Sequence, residues 1–175
     1  SKKNNRSIIV AADCTGHGVP GAFMSMIGTS LLNENIIENK MEDTAQILNN
    51  MRGQIIKSLK QQDQGESKDG MDIALCKLDL KNLSVEYAGA FNPLIHISNN
   101  QINQIKADPQ PIALYTGNKD PFTSHHIQLK KDDMLYIYSD GFSDQFGGQK
   151  NKKYMARRFK QFLLTISNLP IQQQH

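Results

Sequence analysis

Two hydrophobic periods divide this 175-residue chain. The run Ser7-Ile-Ile-Val-Ala-Ala-Asp13 is apolar up to a closing carboxylate and predicts a buried strand. A glycine-rich turn, 15–18, follows, and Pro20 stands where a first helical turn tolerates a missing N–H. Val19, Phe23, Met26, Ile27, Leu31 and Ile37 recur at helical spacing and predict one core-facing stripe on a helix of about five turns. Met24 and Met26 read as core filling, and the small Gly21, Ala22 and Gly28 predict a close approach to another element. A break is expected around 39–42. Asp43 with Gln46 then predicts a capped second helix, with Leu48, Met51, Ile55 and Leu59 as its buried stripe. The polar stretch 61–69 reads as a loop.

From Met71 the period changes to two. Residues 72–79 and 83–88 predict a hairpin around Lys81-Asn82, and 93–98 with 101–106 a second around Asn99-Asn100. Residues 125–129 and 134–139 predict a third around 130–133, and 154–167 a final helix ended at Leu169-Pro170. Strand, two helices, antiparallel hairpins and a helix make an α+β fold rather than βαβ repeats. This order also answers a tempting match. Gly16-His-Gly18-Val-Pro-Gly21 fits the dinucleotide fingerprint G-x-G-x-x-G, but a second helix follows where that unit needs a strand.

Composition narrows the class. With 38% hydrophobic and 21% charged residues and mean hydropathy −0.51, the chain reads as one globular domain, 1–175. No apolar run approaches the roughly 18 residues of a spanning helix. Cys14 and Cys76 are too few for a disulfide framework, so a reducing, cytoplasmic setting is expected, one compatible with a membrane-tethered parent. A net charge of +3 does not argue for nucleic acid.

Two carboxylates carry the chemistry. Asp13 closes one apolar strand before a glycine turn; Asp140 closes another, Leu135-Tyr-Ile-Tyr-Ser139, and Gly141 follows. A carboxylate at a buried strand end needs a partner. Neither has a Lys or Arg beside it in sequence, which suits a hard divalent cation with oxygen ligands. The bland alternative is an Asp-Gly turn former.

Asp13-Cys-Thr-Gly-His-Gly-Val-Pro-Gly-Ala-Phe-Met-Ser-Met, then Asp69-Gly-Met-Asp-Ile-Ala-Leu, Ala88-Gly-Ala-Phe-Asn-Pro-Leu-Ile and Tyr138-Ser-Asp-Gly-Phe-Ser-Asp-Gln-Phe-Gly come in an order and spacing that resemble the bacterial sporulation/stress (SpoIIE-like) branch of the PP2C-like, metal-dependent protein serine/threonine phosphatases. The resemblance implies a sandwich of two antiparallel sheets flanked by helices, and two Mn²⁺ or Mg²⁺ ions per site that activate a water against a phosphoserine or phosphothreonine. It implies that Asp13 bridges the ions, that the Cys14 carbonyl assists, that Asp140 holds the second ion, and that Asp144 serves a weaker third one, with Asp69 or Asp72 contributing there. Gly16 and Gly18 are expected to permit unusual backbone angles in the metal turn, and His17 to position it.

In that family two further acids lie on strands before and after the stretch matched here. The chain is therefore expected to be a truncated domain, 19–62 forming its helical hairpin and 70–139 its strands, that binds metal poorly alone. The expected partners are a phosphorylated protein, such as an anti-sigma-factor antagonist, and an upstream sensor, with a dimer as a further expectation. The alternative is a catalytically inactive, phosphatase-like interaction module.

Other polar residues read more plainly. His125 and His126 alternate to opposite faces, and His96 reads as packing. Lys150, Lys152, Lys153, Arg157 and Arg158 form a basic cluster, either a solvated helix start or an attractor of an acidic partner. Nothing in the sequence ties Arg6 to the site.

Overall fold

The central strands are those with apolar side chains on both faces. Strands β3 (Met71–Asp79) and β4 (Ser84–Ala90) bury Ile73, Leu75, Ala88 and Ala90 on one face and Ala74, Cys76, Val85 and Tyr87 on the other. The computed structural model describes residues 2–3, 6–61, 69–117, 120–147 and 151–174. In it β1 (Lys2–Lys3), β2 (Arg6–Cys14) and β7 (His125–Gln128) complete an antiparallel sheet of order β1-β2-β3-β4-β7. A second antiparallel sheet, β6-β5-β8, is built from β5 (Leu94–Ser98), β6 (Gln101–Ile105) and β8 (Met134–Ile137). Asn99 and Asn100 turn β5 into β6 with φ of 50° and 60°, the backbone a tight hairpin demands.

Three apolar clusters define four layers. Helices α1 (Gly18–Asn33) and α2 (Thr44–Ser58) cover the outer face of the first sheet through Met24, Leu31, Leu48, Met51 and Ile55. Tyr87, Cys76 and Leu94 fill the space between the sheets. Helix α3 (Ala156–Ile166) packs Phe159 and Leu163 on Ile95 and Ile97 of the second sheet. The α+β sandwich expected from the sequence is thus the fold observed. No helix among the described residues is long and apolar enough to cross a membrane.

Helix α2 starts as its sequence predicts. The Asp43 carboxylate accepts from the Gln46 N–H at 2.7 Å. Glu86, ion-paired to Lys77 across β3–β4 at 2.6 Å, accepts from the Thr44 N–H and hydroxyl and ties the same end to the sheet. Asp43→Ala is expected to cost about 1 kcal/mol by loss of the cap, measured by denaturant titration; an unchanged midpoint would discount the cap.

Two expectations are corrected. The stripe assigned to the core on the first helix holds only in part: Leu31 is buried and Ile27 packs against the core, but Val19, Phe23, Met26 and Ile37 are 57–69% exposed, while Met24 and Gly28 are buried instead. The helix is apolar around most of its girth, so periodicity leaves its inner face undecided. Gly28 decides it, because the Met71 thioether fills the place a Cβ would take.

The third hairpin does not form. β7 pairs with β4 in one sheet and β8 with β5 in the other, so 130–133 carries the chain between sheets. There Asp133 accepts from the Lys130 N–H and meets His96 Nε2 at 2.7 Å. Burial pushes the Asp133 carboxyl up, but hydrogen bonds from Ser98, Lys130 and His96 outweigh it and hold it below the usual range. The loop expected at 61–69 falls mostly on 62–68, outside the described residues.

Candidate metal centre

Register brings the first two carboxylates together. β2 pairs with β3 so that Asp13 stands directly opposite Asp72 and Cys14 opposite Met71. Cross-strand neighbours of this kind have Cβ atoms about 5 Å apart, and like charges there repel. Alternation puts both acids on the face of the first sheet that turns toward the second. Asp140 arrives from that second sheet, three residues beyond β8. Burial first, then the charges of Asp140 and Asp13, pushes the Asp72 carboxyl from 3.8 to about 6. Two acids from paired strands of one sheet and one from the turn after the other sheet thus share one field.

Backbone geometry holds the Asp13 turn. Gly16 and Gly18 have φ of 88° and 65°, a left-handed conformation that glycine adopts without Cβ strain. His17 lies between them, extended and exposed, at the head of α1, with no side-chain hydrogen bond to the helix. The Thr15 N–H donates to the Gly70 carbonyl at 3.0 Å, and the Gly70 N–H donates to the Thr15 hydroxyl at 2.8 Å. A Cβ on Gly21 would sit 2.7 Å from the Gly16 carbonyl oxygen, so α1 rests directly on the turn, as its small residues predict.

Asp140 heads a second tight turn, whose carbonyl accepts from the Asp144 N–H at 2.9 Å and the buried Ser143 hydroxyl at 3.0 Å. Asp144 shares this turn, but its carboxylate is ion-paired with Lys153 at 2.7 Å. A third ion at Asp144 would have to displace that lysine. The Asp69 carbonyl accepts from Gln61 Nε2.

The sequence reading gave Asp72 only a share in a third ion and passed over Asn92. Asp72 instead shares the field of Asp13 and Asp140, and strand alternation from Asp13's partner strand was the signal that could have found it. Asn92, 7% exposed, lies in the β4–β5 loop between Ala90, which pairs with Ile73, and Leu94, which pairs with Ile137. Its Nδ2 is buried without a partner among the described residues. The remaining candidates lie elsewhere. Arg6 pairs with Asp79 and Glu42 at the far end of β2, where a cleft of about 470 Å³ also lies. His96 faces Asp133, His125 stacks on Tyr87 and His126 is exposed.

Among the described residues Asp13, Asp72 and Asp140 have no cationic partner. That oxygen-rich, uncompensated set is the donor chemistry of Mg²⁺ or Mn²⁺. Among the described residues no group of three His, Cys, Asp or Glu is placed so that it could hold a metal ion as it stands.

The raised Asp72 carboxyl has a consequence without metal. Its folded value exceeds its ordinary one, so the folded state holds the proton more tightly. The resulting penalty is absent below 3.8, grows through the window up to about 6, and is full above it. Asp72→Asn is therefore expected to raise the melting temperature in chelator at pH 7.5 and leave it unchanged at pH 3.5. An equal shift at both pH values would contradict the charge cluster.

Comparison with solved structures gives the same fold. The chain is similar to the SiaA-PP2C domain of Pseudomonas aeruginosa, at 25% identity and TM-score 0.88, covering 99% of this chain and 67% of that one. It is similar to the PP2C phosphatase domain with a regulatory fragment of SpoIIE from Bacillus subtilis, at 18% identity and TM-score 0.66, covering 94% and 44%. RsbX in complex with magnesium is similar at 13% identity and TM-score 0.58, covering 97% and 77%. The chain thus spans less than half of the SpoIIE chain it matches. Comparison with curated protein sequences gives no match. Residues 3–174 match the family model for stage II sporulation protein E. With that match over nearly the whole chain and a PP2C-like fold, the protein belongs to the SpoIIE family of PP2C-type phosphatase domains.

Proposed function

We propose that this domain dephosphorylates phosphoserine or phosphothreonine on a protein partner in a signalling pathway, with divalent metal ions held at the Asp13 turn. The observation that carries the reading is the shared field of Asp13 and Asp72, paired across β2–β3, and Asp140 in the turn after β8. Asp13, the Cys14 carbonyl and Asp140 would hold two Mn²⁺ or Mg²⁺ ions, with Asp72 beside them. Such a pair, when bound, supplies a water of lowered pKa and charge to stabilise the attacking and leaving oxygens. RsbX, a neighbour solved with magnesium, supports the choice of a hard cation.

The chain's own groups do the positioning. The Thr15–Gly70 clasp and the contact of Gly21 on Gly16 fix the direction of the Asp13 carboxylate. The Ser143 hydroxyl and Asp144 N–H fix the backbone from which Asp140 projects. Met71 and the two core layers hold both turns on a rigid scaffold.

The reading is tested by phosphate release from a phosphoseryl or phosphothreonyl peptide by the domain at the length of its relatives. Release that requires Mn²⁺ or Mg²⁺ and stops in chelator is expected. No release in a folded protein would favour the second reading, an inactive interaction module. The incomplete ligand set among the described residues is the observation that favours that alternative.

A further inference from the structure

The turn that begins at Asp140 runs into a surface with an unusual composition. A two-stranded ribbon, β9 (Phe146–Gly147) with β10 (Lys152–Lys153), follows the turn, and α3 begins at Ala156. The ribbon is fastened to the turn: the Tyr154 N–H donates to Gln145 O at 2.9 Å and the Met155 N–H to Ser143 O at 2.8 Å. Around it Phe146 is 63% and Met155 58% exposed, and Phe142 and Phe162, stacked at 6.1 Å, are also exposed. Soluble domains rarely leave such apolar groups clustered without a partner.

The charge is one-sided. Residues 151–160 carry Lys152, Lys153, Arg157, Arg158 and Lys160 and no acid. Lys153 is spent on Asp144 and Lys160 reaches Gln104. Lys152, Arg157 and Arg158 are exposed and pair with no carboxylate among the described residues. Both arginines stand in the first turn of α3, which has no acidic residue. Positive charge there opposes the helix dipole and costs a few tenths of a kcal/mol each. A local preference broken at exposed positions beside a candidate site points to a use outside the fold.

We propose that this surface, Phe146 and Met155 with Lys152, Arg157 and Arg158, docks an acidic, partly apolar segment of the phosphorylated protein. The identity of the occupant as substrate rests on the phosphatase reading above. Charge complementarity selects an acidic chain, the exposed Phe146 and Met155 select apolar residues within it, and the covalent link to the Asp140 turn places it beside the phosphate. The covalent link of this surface to the Asp140 turn favours a segment carried by the substrate over an anionic membrane, which the vesicle arm of the experiment tests.

The test is fluorescence anisotropy of a labelled phosphoserine peptide flanked by Glu and Leu, against the same peptide with Gln for Glu. The double variant Arg157→Glu/Arg158→Glu is expected to weaken the Glu peptide by about tenfold or more and to weaken the Gln peptide, which keeps only its phosphate charge, much less. Its melting temperature should hold or rise, since the new charges suit the helix dipole, so loss of fold is excluded directly. Phe146→Ser is expected to weaken both peptides. Equal affinity of the double variant and the parent for the acidic peptide would overturn the proposal, as would charge-dependent binding to phosphatidylserine vesicles without binding to the peptide. Binding is read without turnover. Failure of the phosphatase reading would leave the affinity difference intact, and failure of docking would leave p-nitrophenyl phosphate hydrolysis intact.

Discussion

Asp13→Asn is expected to lower metal-dependent phosphate release by a factor on the order of 10²–10³ or more while the domain stays folded. Asparagine keeps the shape of the side chain and removes its charge. Asp13 is exposed, so its loss opens no cavity, and it faces Asp72, so its loss relieves repulsion. The melting temperature in chelator should therefore hold or rise as activity falls. Asp140→Asn should behave alike, because Asp140 projects into the same field from the other sheet. Asp144→Asn should cost less than either, since a lysine already answers its charge. Side-by-side Mn²⁺-dependent rates of the three variants check the ranking. Substantial activity in Asp13→Asn would reduce that residue to a turn former.

The next largest effect is expected at the two glycines that grip the metal turn. A Cβ on Gly70 would lie 2.9 Å from the Ile112 carbonyl oxygen and 2.5 Å from the Ala113 Cβ. One on Gly21 would lie 2.7 Å from the Gly16 carbonyl oxygen. All three neighbours are backbone or backbone-fixed atoms that cannot rotate away. Gly70→Ala and Gly21→Ala should each destabilise by about 1–3 kcal/mol, at about 2–4 °C of melting temperature per kcal/mol for a chain of this size. Both should also lower metal affinity, because the shift falls on the Thr15–Gly70 clasp and on the Gly16 carbonyl. Gly53→Ala in α2 is the control: its Cβ meets nothing within 4 Å, and alanine should stabilise that helix by up to about 1 kcal/mol. Equal, small effects at all three positions would contradict the tight packing of the turn.

These positions also mark what can be read from sequence. Asp13 and Asp140 are legible because each ends an apolar run before a glycine, a pattern one strand displays alone. The Asp43 cap and the Asn99-Asn100 turn are legible for the same reason, since their chemistry is local. Asp72 as a full member of the cluster is less legible, because its role depends on the register of β2 against β3, a long-range fact. The pairing of β7 and β8 with different sheets is of that kind too: alternation defines a strand but not its partner. Helix α1 fails differently. Val19, Phe23 and Met26 make a convincing stripe, yet the helix turns Gly28 inward because only a missing side chain admits Met71. The Lys153–Asp144 pair, nine residues apart across a short ribbon, takes up an acid that the family resemblance assigned to a third ion.

The most direct test of the central claim is a calorimetric titration of Mn²⁺ into the domain extended to the length of its relatives, beside its Asp13→Asn variant. Saturable binding of two ions in the parent, lost or sharply weakened in the variant at unchanged fold, is the result predicted by a metal centre built on Asp13, Asp72 and Asp140. A folded parent that takes up no Mn²⁺, or a variant that binds as the parent does, would contradict it.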